Sequence, residues 1–155
     1  GIDKPLRWRT PTGSLVQQSY WTISHSDVRT VMGSYYMWNQ FEAGGLDRRK
    51  QVNSSSPNVI HSLDASLLQK VVNRLYASGI TSFCTIHDSF AVHYRHVDEM
   101  RDIIRQETYK MFKDDWLLDE FYRYVQSNSP IELPPPPAQG NFDVKKVLNA
   151  PYFFA

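Results

Sequence analysis

Ile86-His87-Asp88-Ser89-Phe90 lies between two apolar, β-favouring runs, Ile80 to Ile86 and Phe90 to Tyr94, and this arrangement predicts a hairpin with one acid at its tip. A ladder on either side would hold the Asp88 carboxylate at a fixed point above a sheet, where its oxygens suit a hard cation such as Mg²⁺. Asp is also a common turn former, because its side chain bonds the backbone two residues on. Turn chemistry alone therefore favours a structural role for Asp88.

Outward from the hairpin the pattern alternates between helical and extended segments. Leu63, Leu67, Val71 and Leu75, with Leu68 and Val72 beside them, form an apolar stripe that predicts a helix capped by Ser62 and ended by Gly79. A second helix is expected from Val97 to Phe112, turning Val97, Met100, Ile103, Ile104 and Met111 inward. A third, from Asp114 to Gln126, would bury Leu117, Phe121, Tyr124 and Val125. Leu6–Thr10 and Ser14–Tyr20 flank Pro11-Thr12-Gly13 as a hairpin, and Asp27–Tyr36 reads as extended or partly helical. Pro134 to Pro137 cannot donate backbone hydrogen bonds and should lie as an extended strap, with Asp143 capping a short last helix through Leu148. The fold class is α+β, a small antiparallel sheet packed against several helices.

Hydrophobic residues make up 41% of the chain and charged ones 21%, and no apolar run approaches the ~20 residues a membrane helix requires. The start has no charged-then-apolar-then-small pattern, so no secretory signal is expected. The single cysteine, Cys84, cannot form an internal disulfide, and its place in an apolar strand predicts a buried, inert thiol. A net charge of +1 does not disclose a nucleic-acid partner. Locally, Arg48, Arg49 and Lys50 stand in a Gly-, Ser- and Asn-rich connection, where they either reach phosphates or are simply solvated.

Several segments occur together in a recognisable order: Arg7-Trp8-Arg9-Thr10-Pro11-Thr12-Gly13, Arg49-Lys50-Gln51, Pro57-Asn58-Val59-Ile60-His61-Ser62-Leu63-Asp64, His87-Asp88-Ser89-Phe90, Pro137-Ala138-Gln139-Gly140-Asn141-Phe142 and the closing Tyr152-Phe153-Phe154-Ala155. In that order they resemble the carboxyl-terminal part of the single-subunit, bacteriophage-type RNA polymerases, which include the mitochondrial enzymes. The resemblance covers most of the chain, with the long connection from Trp21 to Ser56 matching poorly. It implies a polymerase palm as the setting of the sheet, with residues 1–133 as a palm-associated portion and 134–155 as a Pro-rich strap and tail. Ser89 favours the RNA polymerase branch, since the related DNA polymerases typically carry Glu after this Asp.

RNA synthesis joins a 3′ hydroxyl to the α-phosphate of a nucleotide, with two Mg²⁺ ions about 3.5–4 Å apart held by carboxylates from different strands. The resemblance implies that Asp88 is one metal-binding and catalytic aspartate, that its partner Asp lies in an earlier motif absent from this chain, and that a triphosphate-holding fingers helix is absent too. Asp64, Asp98 and Glu99 are the nearest other acids, and favourable placement at helix starts accounts for all three. A second polymerase polypeptide is therefore expected as partner, with DNA template, RNA product and nucleoside triphosphates, and this chain alone should be inactive. By resemblance His61 lies against the minor groove of the nascent base pair or the primer end, while His87 supports the hairpin and approaches the primer strand; general chemistry makes either a packing residue. Arg49 and Lys50 are the expected phosphate contacts. The aromatic run Tyr35-Tyr36-Met37-Trp38 reads as core or interface packing.

Two other classes stay open: a non-catalytic assembly or nucleic-acid-binding subunit with a palm-like fold, and a free-standing metal-dependent phosphodiesterase, which would need a second carboxylate near Asp88. The Asp88-Ser89-Phe90 triplet resembles phage members most, which implies the cytoplasm of an infected bacterium, with the mitochondrial matrix as the alternative.

Overall fold

One helix organises the chain. The computed structural model describes residues 4–40, 45–113, 116–138 and 140–153, apart from the side chains of residues 38–40 and 116–117. Its longest element, α1 (Arg48–Ala77), runs 30 residues, roughly 45 Å at 1.5 Å per residue. Asp47 caps it, its Oδ1 accepting from the Lys50 amide at 3.0 Å. At the other end Ser78 closes the helix and Gly79 sits at φ +83°, a left-handed position that favours glycine.

Three antiparallel ribbons attach to this frame. They are β1 (Leu6–Arg9) with β2 (Leu15–Gln18), β3 (Ile23–Thr30) with β4 (Gly33–Gln40), and β5 (Phe83–Ile86) with β6 (Ser89–Val92). A 3₁₀ turn at Tyr94–His96 leads into α2 (Val97–Phe112), followed by α3 (Trp116–Ser127), and a second 3₁₀ turn at Val144–Asn149 lies near the end. The architecture is α+β, as expected, but among the described residues the strands form three two-stranded ribbons rather than one joined sheet.

Two packed regions lie along α1. In its second half, Val71 and Leu75 are wholly excluded from water and pack with Ile80, Met100, Ile103 and Ile104, while Phe83, Phe90, Val92 and Phe153 close over them. Burying such aliphatic side chains contributes about 1.5–3 kcal/mol each, which roots the β5–β6 ribbon. In the first half, Trp8 is 2% exposed, donates from its indole Nε1 to Ser62 Oγ at 3.0 Å, and meets Phe121 edge-on with centroids 6.1 Å apart. Strand β1 is thereby fixed between α1 and α3. The terminal 3₁₀ turn is capped by Asp143, whose Oδ1 accepts from the Lys145 amide, and is held to α2 where Arg105 Nη2 donates to the Ala150 carbonyl at 2.8 Å.

Several expectations are corrected. Ser62 is not a helix cap but an interior residue of α1, which begins fourteen residues earlier, so Arg49 and Lys50 lie in the first turn of a helix rather than a loop and Asp64 lies mid-helix. The segment Asp27–Tyr36 is not partly helical; it belongs to the eight-residue strands β3 and β4. Tyr35, Tyr36 and Met37 are about half exposed or more, which removes the core reading and leaves interface packing, and the Trp38 side chain lies outside the described residues. Cys84 is exposed, because β5 buries only its Phe83–Thr85 face, and Val97 at the first position of α2 is exposed as well. The third helix runs over Trp116–Ser127, with Asp114 and the Leu117 side chain outside the described residues.

Leu75→Ala should lower the unfolding free energy by about 2–5 kcal/mol, through lost burial and the cavity left behind. Urea denaturation followed by circular dichroism measures it, and a loss below ~1 kcal/mol would mean the second packed region is not built around Leu75.

Candidate functional site

The candidate residues divide among three places along α1. At its start, Arg48, Arg49 and Lys50 are exposed in a first turn that carries no acid. Three cations there oppose the positive end of the helix dipole, a local cost that the weak Lys50–Asp47 pair at 3.9 Å offsets only in part. Pro57, inside the helix, removes the amide that would bond the carbonyl four residues back.

Midway along, about 18 Å of helix rise from Arg49, His61 is exposed and lines an open cleft of about 470 Å³ between β2 and α1. The other walls are Trp8, Val16, Gln17, Gln18, Ser19, Tyr20, Asn58 and Ser62. An amide network holds the two sides together. Gln18, 4% exposed, donates from Nε2 to the Gln51 carbonyl at 2.7 Å and to Gln51 Oε1 at 2.6 Å, and the Gln51 amide returns a bond to the Gln18 carbonyl at 3.0 Å. Asn58 Nδ2 donates both to Gln18 Oε1 at 2.9 Å and to the Tyr20 hydroxyl at 3.2 Å. Donation from Asn58, with a second bond from Ser54, stabilises the phenolate and holds the Tyr20 pKa below its ordinary 10.0, against a smaller opposing effect of desolvation.

At the far end, the β5–β6 ribbon pairs Ile86 with Ser89, leaving His87 and Asp88 as a two-residue turn. His87 sits at φ +53°, the left-handed backbone that two-residue hairpin turns demand and that His adopts more readily than branched residues. Both side chains are exposed, and no hydrogen bond or ion pair from another described residue engages the Asp88 carboxylate. The inner face of the ribbon, Phe83 with Val92 and Thr85 with Phe90, points to the packed region, so the turn is held from below while its acid stands clear.

The structure thus joins His87 to Asp88 on one turn and sets His61 in a cleft, while Arg49 and Lys50 stand apart at the helix start. Among the described residues no three His, Cys, Asp or Glu side chains gather closely enough to hold a metal ion. Asp98 lies in the first turn of α2, 3.9 Å from Arg101, and Glu99 lies 3.7 Å from His96, so both have local partners. Tyr20, Gln18 and Asn58 were not singled out from sequence as site residues; the available signal was a pair of glutamines closing an otherwise half-buried strand.

A family profile described as DNA-dependent RNA polymerase matches residues 2–127. A polypeptide named DNA-directed RNA polymerase 1A, from Nicotiana tabacum, is 32% identical over 152 residues, which is 98% of this chain and 96% of that relative. DNA-directed RNA polymerase 3B, chloroplastic, from the same plant, and DNA-directed RNA polymerase 2, chloroplastic/mitochondrial, from Arabidopsis thaliana, are each 32% identical over 98% of the chain. The chain spans about 15% of the length of these last two. It belongs to the DNA-dependent RNA polymerase family, in its single-subunit, phage-type branch. The names of the last two place those relatives in chloroplasts or mitochondria, which fits the mitochondrial alternative and conflicts with the infected bacterium favoured above. No helix among the described residues is long and apolar enough to cross a membrane.

The Tyr20 shift has a direct check. With ¹³Cζ-labelled tyrosine, one phenol should titrate below 10.0, and Asn58→Leu should move it back up. Because the folded value is depressed, its stabilising contribution is full above the unfolded value and is lost as the pH falls through the folded one. A Tyr20 titration indifferent to Asn58→Leu would remove the bond from the account.

Proposed function

We propose that this chain is a carboxyl-terminal part of a DNA-directed RNA polymerase, supplying Asp88 as one of two metal-binding aspartates, with a second polypeptide carrying the other and the triphosphate-holding fingers helix. The observation that carries the reading is the Asp88 turn: a carboxylate that is exposed, unengaged by any other described side chain, and carried on a ribbon whose base is buried. Its hard oxygens fit Mg²⁺, and one carboxylate is half of what such a site needs. When bound, the cations activate the attacking hydroxyl and neutralise charge on the departing pyrophosphate.

The remaining residues serve the strand. His61 faces nucleic acid from the cleft in α1, and His87 orients the turn beside the primer end. Arg49 and Lys50 meet backbone phosphates, which would repay the cost of three cations at a helix N-terminus. Residues 1–133 act as the palm-associated portion and 134–155 as a strap and tail; Phe153 against the α1–α2 core and Arg105 on the Ala150 carbonyl support that role. Exposed Tyr35, Tyr36 and Met37, together with Ile86 at 67% exposure, supply apolar surface for the second polypeptide. DNA template, RNA product and nucleoside triphosphates are the substrates, in an organelle like those in the relatives' names.

The test is reconstitution with the larger partner and an assay of template-directed RNA synthesis. Asp88→Asn should reduce extension by several orders of magnitude while co-purification persists. Extension that survives the substitution would reduce this chain to a non-catalytic assembly subunit. Cleavage of nucleic acid by the chain alone would favour a phosphodiesterase.

A further inference from the structure

Resting on the polymerase reading, we propose that Tyr20 is an RNA-strand contact: its phenol donates to a ribose 2′-hydroxyl of the product strand lying in the cleft, and Asn58 is the residue that positions it. The cleft's lining is the first reason. None of its nine residues is Asp, Glu, Lys or Arg; beside the apolar faces of Trp8 and Val16 it offers amides, hydroxyls and one imidazole. Such a surface suits uncharged sugar and base edges, whereas phosphates call for cations.

Cations stand beside it instead. Arg7 is the cross-strand partner of Gln17, so the two share one face of the β1–β2 ribbon; both are exposed, and Gln17 lines the cleft. A strand could therefore place its phosphates near Arg7 and its sugar edge within.

Hydrogen-bond accounting gives the second reason. A phenol has one proton and two lone pairs. The oxygen of Tyr20 already accepts from Asn58 Nδ2 at 3.2 Å. That bond occupies one lone pair and leaves the phenol's proton and its second lone pair to a further partner, which an outside acceptor in the open cleft can be. A ribose 2′-hydroxyl accepts and donates, and A-form helices display it along a wide, shallow minor groove that an open cleft can meet. Deoxyribose offers nothing at that position.

The substitution Tyr20→Phe isolates the contact, because Asn58 keeps its bond to Gln18 Oε1 and the amide network stays closed. In the assembled enzyme, primer affinity is read by fluorescence anisotropy with all-RNA primers and with primers carrying one 2′-deoxy nucleotide at successive positions. The wild type should lose roughly 3- to 10-fold at one position. Tyr20→Phe should lose a similar factor with all-RNA primer and become indifferent to the deoxy nucleotide there. Asn58→Leu should lower affinity in the wild-type background but add little to Tyr20→Phe, as expected of a residue acting through the phenol. Unchanged affinity in Tyr20→Phe, or equal loss on every primer, would overturn the assignment. Lack of extension by the wild-type assembly would instead count against the polymerase reading, since affinity is measured separately.

Discussion

Val71 and Leu75, both closed off from water against α2 and the β5–β6 ribbon, are the constraint from which the rest follows. A two-stranded ribbon of four-residue strands is marginal by itself. It becomes a rigid arm only because Phe83, Phe90 and Val92 join the packing around those two side chains. The apolar face anchors the ribbon, and the turn opposite can then keep an exposed carboxylate at a set place. At the other half of α1 the anchor is polar as well as apolar, with the Trp8 indole bonded to Ser62 and the Gln18–Gln51–Asn58 amides joining strand to helix. Removing either anchor would leave a candidate residue without a fixed position.

The parts that sequence made legible are those where local pattern and tertiary packing agree. Alternation on both sides of His87-Asp88 marked the ribbon, and the Val97–Phe112 periodicity matched α2 at both ends. The start of α1 was hidden because Asn53-Ser54-Ser55-Ser56-Pro57 has the composition of a loop. Its helical state depends on contacts far away in sequence, the bonds of Gln51 and Asn58 to Gln18 and Tyr20. Cys84 misled for a related reason: an apolar strand was read as buried on both faces, whereas among the described residues nothing covers one face of β5.

The site was legible to a similar degree. Asp88 and His61 were proposed from their motifs, and both side chains are exposed, His61 in the cleft and Asp88 on the turn. The cleft could not be read in advance, because Tyr20 and Asn58 are 38 residues apart and meet only when β2 lies along α1. What unites the two places is division of labour by charge: a lone acid on the turn, neutral polar groups in the cleft, and cations at the helix start and on β1. In the proposed reading, this distribution would let a strand be tracked by its phosphates and met at its sugars.

The central claim is that Asp88 shares divalent cations with acids from another polypeptide. Paramagnetic broadening by Mn²⁺ tests it directly, with this chain ¹⁵N-labelled, alone and assembled with the larger partner. The amides of His87, Asp88 and Ser89 should broaden selectively at low Mn²⁺ in the assembly and hardly at all in the isolated chain. Broadening that is absent from the assembly, or equally strong without the partner, would contradict the account.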